Sequence, residues 1–208
     1  MLNLHKVVLA TKNRHKIKEI SAILKKLEIK EIQDFNTVSD TPEIEETGKT
    51  FYDNALLKAK TVYTYTGLPA LADDSGLCVP ALNNKPGVNS ARYAGAGATS
   101  AMLIAKLLEN MKKCKGDQRK AFFHTVMLLY LELENRRQVI IKGAGRINGR
   151  ITTQPAGSRG FGYDPVFIPD GYNQTFAQLT PGAKNRISHR ARALSSFYDN
   201  FLKCKPDN

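Results

Sequence analysis

Asp73 and Asp74 stand side by side in Leu71-Ala72-Asp73-Asp74-Ser75-Gly76-Leu77, closing a short apolar run. Carboxylates that end a strand reach the rim of a sheet, where they can hold a divalent cation or deprotonate a water. A Ser-Gly turn after them would let a ligand come close. Taken alone, the same residues also describe an exposed turn with two solvated acids. A second acidic stretch, Glu43-Ile44-Glu45-Glu46-Thr47-Gly48, precedes a helical apolar pattern. A nucleotide-borne magnesium ion takes one or two carboxylates and completes its octahedron with phosphate oxygens and waters, so Glu45 with Asp74 is the expected metal pair. Electrostatic support of the following helix N-terminus would account for Glu45 equally well. Lys58, inside that helix, could reach the same phosphates or lay its stem over apolar surface.

Three further clusters keep the acids company. Thr11-Lys12-Asn13-Arg14-His15-Lys16 places hydroxyl, amide and cationic groups just before a helix, which suits a triphosphate. It has neither the P-loop nor the dinucleotide glycine pattern, and as a hexapeptide it also reads as a solvated loop. Gly160-Phe161-Gly162-Tyr163-Asp164-Pro165 sets two aromatics between glycines, able to stack on a planar base or to pack on the core. In Lys184-Asn185-Arg186-Ile187-Ser188-His189-Arg190, Ser188 is a good helix N-cap. His189 and Arg190 then fall in a first turn, where the helix dipole disfavours cations, and this points to an anionic or carbonyl-bearing ligand.

The elements that must position these groups follow from periodicity. Lys6 to Ala10 reads as a buried strand, and Ile17, Ile20, Ile23, Leu24 and Leu27 recur at helical spacing. A short strand is expected near Ile29 to Phe35. A second helix follows from Phe51 to Tyr63, capped by Thr47 or Thr50 and ended by Gly67 and Pro69. Ala70 to Asp74 is the expected acid-bearing strand, with extended chain again from Leu77 to Leu82 and a turn at Asn83 to Gly87. Met102 to Met111 marks a third helix. Lys120 to Glu132 and Gln138 to Arg146 form a hairpin, a short strand lies at Val166-Phe167, and a last helix carries Leu194, Phe197, Tyr198, Phe201 and Leu202. The expectation is an α/β fold: a single two-lobed domain over residues 1–208, with a mixed twisted sheet flanked by helices and a central active-site cleft.

At 208 residues and 42% hydrophobic content, the chain can bury a substantial core. Cys78, Cys114 and Cys204 are far apart and without metal spacing, which suits a reducing compartment. No leader or apolar span of membrane length is apparent, so a soluble cytoplasmic protein is expected, with no membrane partner. The net charge of +12 favours polyanionic partners, but its clusters at Lys12 to Lys18, Lys112 to Lys120 and Lys184 to Arg192 form no single block. An RNA-binding module would account for this charge yet leaves the acid pair unexplained, so no stable nucleic-acid partner is expected.

In this order, the clusters resemble the Ham1-like family of non-canonical purine nucleoside triphosphate pyrophosphatases, which act on inosine and xanthosine triphosphates. The likeness runs from Val7-Val8-Leu9-Ala10-Thr11-x-Asn13 through Glu45-Glu46-Thr47-Gly48 with Asn54-Ala55, Ala72 to Leu77, Pro86-Gly87 with Ser90-Ala91-Arg92-Tyr93, and Gly160 to Pro165. It ends at Ile187 to Arg190 with Ala193-Leu194. The resemblance implies Mg²⁺-dependent hydrolysis of dITP, ITP or XTP to the monophosphate and pyrophosphate by a homodimer. It implies Asp74 as general base and metal contact, with Glu45 as the other metal ligand. Phosphate binding falls to Thr11, Lys12, Asn13, Arg14, His15 and Lys16, assisted by Ser75 and Lys58. The base pocket is assigned to Phe161, Gly162, Tyr163, Asp164, Lys184, His189 and Arg190. Two departures stand out: Lys12 where the family usually has glycine, and Asn83-Asn84-Lys85 in place of a glycine pair. A related Maf-type enzyme for modified pyrimidine triphosphates is the nearer alternative. The aromatic loop and the Ser-His-Arg helix start favour the purine branch.

Overall fold

Val7, Val8, Leu9 and Ala10 are all buried, which an amphipathic strand cannot achieve and a strand covered on both faces must. They sit in a computed structural model that describes residues 4–11, 16–17, 20–21, 24–25, 29–38 and 41–204. The elements are β1 (Lys6–Leu9), β2 (Glu31–Asp34), α1 (Phe51–Thr66), β3 (Ala70–Val79), β4 (Lys85–Pro86), α2 (Ser100–Asn110), β5 (Lys120–Glu132), β6 (Gln138–Ile151), β7 (Phe167–Pro169), α3 (Pro181–Ile187) and α4 (His189–Lys203). The sheet order is β2-β1-β3-β5-β6-β7, with β4 paired to β3. β1 runs parallel to β2 and β3, whereas β3–β4 and β6–β7 are antiparallel, giving the mixed sheet flanked by helices that the sequence led us to expect.

The chain gathers into two compact units, Met1–Asp74 with Val126–Ala144 and Ala193–Asn208, and Ser75–Thr125 with Gly145–Arg192. In the first unit, strand alternation sorts the core into two layers. Val7, Leu9, Leu71, Met127, Leu129 and Leu131 face one way, with Ile20, Leu24 and the α4 residues Leu194, Phe197 and Phe201. Val8, Ala10, Ala70, Ala72, Val126, Leu128 and Tyr130 face the other way, with Ala55, Ala59 and Val62 of α1. Ile20 and Leu24 belong to the first predicted helix, whose residues 16–17, 20–21 and 24–25 are helical; Ile23 and Leu27 lie outside the described residues.

The second unit has one apolar layer. Leu77 and Val79 of β3, Leu103, Ile104 and Leu107 of α2, Phe123 of β5, Ile147 and Ile151 of β6, and Phe167 and Phe176 pack there. Its length of β6 alternates strictly between buried and exposed residues, as a strand covered on one face does.

Four expectations change. The extended chain expected to Leu82 ends at Val79, where Pro80–Leu82 form a 3₁₀ turn, and the strand expected to end at Arg146 runs on to Ile151. The Ser75-Gly76 turn is absent: β3 runs unbroken for 10 residues, so Asp73 and Asp74 lie in mid-strand. Leu77 and Val79 enter the second unit's core, and their burial favours extended chain over a turn. The strand expected at Val166-Phe167 begins at Phe167, because residues 164–166 form a 3₁₀ turn with Pro165. Among the described residues no helix is long and apolar enough to cross a membrane.

Candidate active site

Because successive side chains of a strand point to opposite faces, Asp73 and Asp74 serve different layers. Asp73 shares the face of Leu71, where the helix bearing Ile20 packs, and Lys16 at the start of that helix places its Nζ 2.7 Å from Asp73 Oδ2. Asp74 shares the face of Ala70 and Ala72, which α1 covers. From α1, Asn54 donates its Nδ2 to Asp74 Oδ2 at 3.1 Å, and Lys58 Nζ lies 3.6 Å from Asp74 Oδ1. The same ammonium is 2.7 Å from Glu46 Oε1.

α1 can present these groups because its first turn is locked. Thr50 Oγ1 accepts from Asp53 N, Asp53 Oδ2 accepts from Thr50 N, and Gly67 ends the helix in the left-handed region at φ +67°. Four and eight residues beyond Thr50, Asn54 and Lys58 fall on the side of the helix that faces β3.

Asp73 and Asp74 are only 1% and 5% exposed. Burial pushes the Asp74 carboxyl above its ordinary value, helped by Glu46 and opposed by Lys58, the Asn54 hydrogen bond and Lys16. For Lys58, burial works against the ammonium, but Asp74, Asp73 and Glu46 together outweigh it and hold its pKa above the usual lysine value. The carboxylates of Asp73, Asp74 and Glu46 and the ammonium groups of Lys16 and Lys58 form this cluster among the described residues. Among the described residues no group of three or more His, Cys, Asp or Glu could hold a metal ion. The donor set instead suits a cation that arrives with its own phosphate and water oxygens, as magnesium does.

In the second unit, Asp164 organises the aromatic loop. Its Oδ2 accepts from Phe161 N at 2.9 Å and pairs with Lys184 Nζ at 2.5 Å. Gly160, at φ +79°, is required there twice over: the left-handed backbone suits glycine, and a Cβ would collide with Asp164 Oδ2. Gly162 N donates to Ser100 Oγ at 2.9 Å. Phe161 is 37% exposed, with the Lys184 ammonium 5.1 Å and the Arg190 guanidinium 5.8 Å from its ring centroid. Tyr163 faces inward, donates to Ser90 O, and has its phenol pushed up by burial. The Ser188 Oγ accepts from Ala191 N, so Ser188 caps α4 as its residue type suggested. His189, in the first turn, stacks on Phe123 with centroids 4.7 Å apart and planes 13° from parallel.

Of the expected site residues, the structure brings together Asp74 and Lys58 in one unit, and Phe161, Asp164, Lys184 and Arg190 in the other. Ser75 is half-buried within β3, and Thr11 accepts from Asn36 Nδ2 through its carbonyl. Glu45 is exposed; it is Glu46 that reaches Lys58. Lys12, Asn13, Arg14 and His15 lie outside the described residues. Sequence reasoning missed the tie between Asn54 and Asp74, although an amide beside the apolar stripe Ala55, Ala59 and Val62 is itself a signal. It also missed α3, announced by Thr180-Pro181 as N-cap and first helical residue.

A model of the Ham1 family matches residues 7–200. A dITP/XTP pyrophosphatase of Coxiella burnetii is 47% identical over 188 residues, covering 90% of this chain and 92% of that protein. The dITP/XTP pyrophosphatase of Escherichia coli (strain K12) is 42% identical over 196 residues, covering 94% and 98%. Among solved structures, a HAM1 protein from Coxiella burnetii is similar with a TM-score of 0.86 at 44% identity, covering 96% of this chain and 99% of that one. The Staphylococcus aureus Ham1 protein follows with a TM-score of 0.83 at 33% identity, covering 95% and 98%.

Proposed function

This chain belongs to the Ham1 family, and we propose that it is a pyrophosphatase of non-canonical purine nucleoside triphosphates such as dITP, ITP and XTP. Residues 1–208 act as one catalytic domain, as a cytoplasmic homodimer. The observation that carries the reading is the setting of Asp74: a buried carboxylate held by an amide and flanked by a lysine that a second acid, Glu46, also engages.

In the proposed reaction a water oxygen attacks the α-phosphorus and its proton passes to Asp74. The bond from the α-phosphorus to the bridging oxygen breaks, releasing pyrophosphate. Asp74 is suited to take the proton because burial raises its basicity while Asn54 and Lys58 keep it in place. Lys58 and Lys16, with the other cations of the 11–16 stretch, neutralise phosphate charge, and Thr11, Asn13 and Ser75 offer it hydrogen bonds. Mg²⁺, held by Asp74 with Glu45 or Glu46 and by phosphate oxygens, would supply further charge neutralisation. Phe161 offers a face for the purine, with Gly162, Tyr163 and Asp164 shaping its loop. Donors on Lys184, His189 and Arg190 match a 6-keto oxygen and would be left unpaired against the 6-amino group of adenine. Guanine shares the 6-keto group, so its exclusion falls on the 2-amino group.

Comparing kcat/KM of the purified protein for dITP, dATP, dGTP and dUTP with Mg²⁺ tests the reading. A preference for dITP of about 10²-fold or more is expected where unpaired polar groups reject the wrong base. Equal turnover of dATP, or preference for dUTP, would refute it.

A further inference from the structure

Asn54 is fully buried on a helix face otherwise made of Ala55, Ala59 and Val62, where an unsatisfied amide would be costly. Both ends of its amide are used. Gly48 N donates to Asn54 Oδ1 at 2.7 Å, and Asn54 Nδ2 donates to Asp74 Oδ2 at 3.1 Å. The orientation is dictated by chemistry: a backbone N–H can only donate, so the atom facing Gly48 must be the carbonyl oxygen, and the NH₂ is left for the carboxylate. Position 48 is fitted to this contact, since a Cβ there would stand 2.6 Å from Asn54 Oδ1 and 2.7 Å from Asp53 Cβ.

The amide therefore links the acidic stretch before α1, from which Glu46 reaches Lys58, to the carboxylate of mid-strand β3. We propose that Asn54 is a positioning residue: it fixes the rotation of the Asp74 carboxylate by occupying Oδ2, so that Oδ1 is the oxygen presented on the Lys58 side. The inference rests on Asp74 acting as the base in the proposed reaction. An amide fits the task because it donates without titrating, and its second hydrogen bond to the main chain keeps it from turning with the carboxylate.

The test uses the full chain with dITP and Mg²⁺, carrying Asn54→Asp, Asn54→Ala or Gly48→Ala. Asn54→Asp preserves the acceptor for Gly48 but exchanges the amide donor for a second carboxyl that repels Asp74 or shares a proton with it, so Asp74 no longer faces a donor that does not titrate. It is expected to stay folded, with the Gly48 amide still protected from hydrogen exchange, while kcat falls about 10²-fold and KM shifts by less than about threefold, the size of loss that misplacement of a reacting group produces. Asn54→Ala should lose both the Gly48 protection and kcat. Gly48→Ala, which leaves residue 54 unchanged but drives a Cβ against its Oδ1, should show the same split between kcat and KM. Wild-type kcat in any folded variant would overturn the proposal. A loss confined to thermal stability, or to KM, would also overturn it. A wild-type chain inactive on dITP would instead sink the proposed function, and this proposal with it.

Discussion

Burial holds the Asp74 carboxyl above its ordinary value of 3.8, and this has consequences for both rate and stability. A base must be ionised, and in the metal-free chain this carboxyl holds its proton to higher pH than a solvated aspartate does. The folded, metal-free chain binds that proton more tightly than the unfolded chain does. The stability tied to it is therefore fully present below the unfolded value and lost as pH rises through the higher folded value. Asp74→Asn removes this loss. Calorimetry without metal should find the variant melting above wild type near neutral pH, although its turnover falls by about 10²- to 10⁴-fold. Lys58 behaves differently, because its carboxylate neighbours raise its pKa. Its contribution is present below 10.5 and is lost only as pH climbs through the higher folded value. Lys58→Met leaves buried Asp74 and half-buried Glu46 without this ammonium, and urea unfolding should show a loss of about 3 kcal/mol.

The locked start of α1 and the close approach of α4 to β6 make the next level testable. Thr50→Ala breaks the reciprocal cap from which Asn54 and Lys58 are measured out, and should cost about 1 kcal/mol in thermal or urea unfolding. Gly143 lies under α4 so closely that a Cβ would meet Ala193 O, Phe197 N and Phe197 Cβ. Two of these are backbone atoms that cannot yield, so Gly143→Ala should destabilise by about 3 kcal/mol. Elements of this kind were largely legible in the sequence. Thr47 or Thr50, of which the structure uses Thr50, and Gly67 marked the ends of α1, and Ser188 marked the start of α4. β3 was misjudged because Ser75-Gly76 resembles a turn and two acids resemble a surface. Neither cue registers that Lys16 and Lys58 arrive from opposite faces to pair with Asp73 and Asp74, which is what lets a strand carry adjacent buried acids. Glu45 is the proposed metal ligand, and placing the loop adds what the chain alone could not give, that its neighbour Glu46 reaches Lys58.

Taken together, the chain carries a net charge of +12, and its proposed substrate is a polyanion. Electrostatic attraction should raise the encounter rate, so kcat/KM for dITP is expected to fall several-fold between low and physiological ionic strength, more than kcat does. Chelation of Mg²⁺ should abolish turnover but leave the melting temperature nearly unchanged, because among the described residues no three acids, histidines or cysteines form a metal cage on which folding could depend. The candidate site as a set of motifs could be read from the chain. Its pairings could not, since Asp74 meets Asn54 and Lys58, and Asp164 meets Lys184, only through packing. The most direct measurement is to resolve the products released from dITP with Mg²⁺ by wild type and by Asp74→Asn. The proposed chemistry predicts inosine monophosphate in its deoxy form with one pyrophosphate per turnover, and almost none from the variant. Release of orthophosphate, or wild-type yields of pyrophosphate from Asp74→Asn, would contradict it.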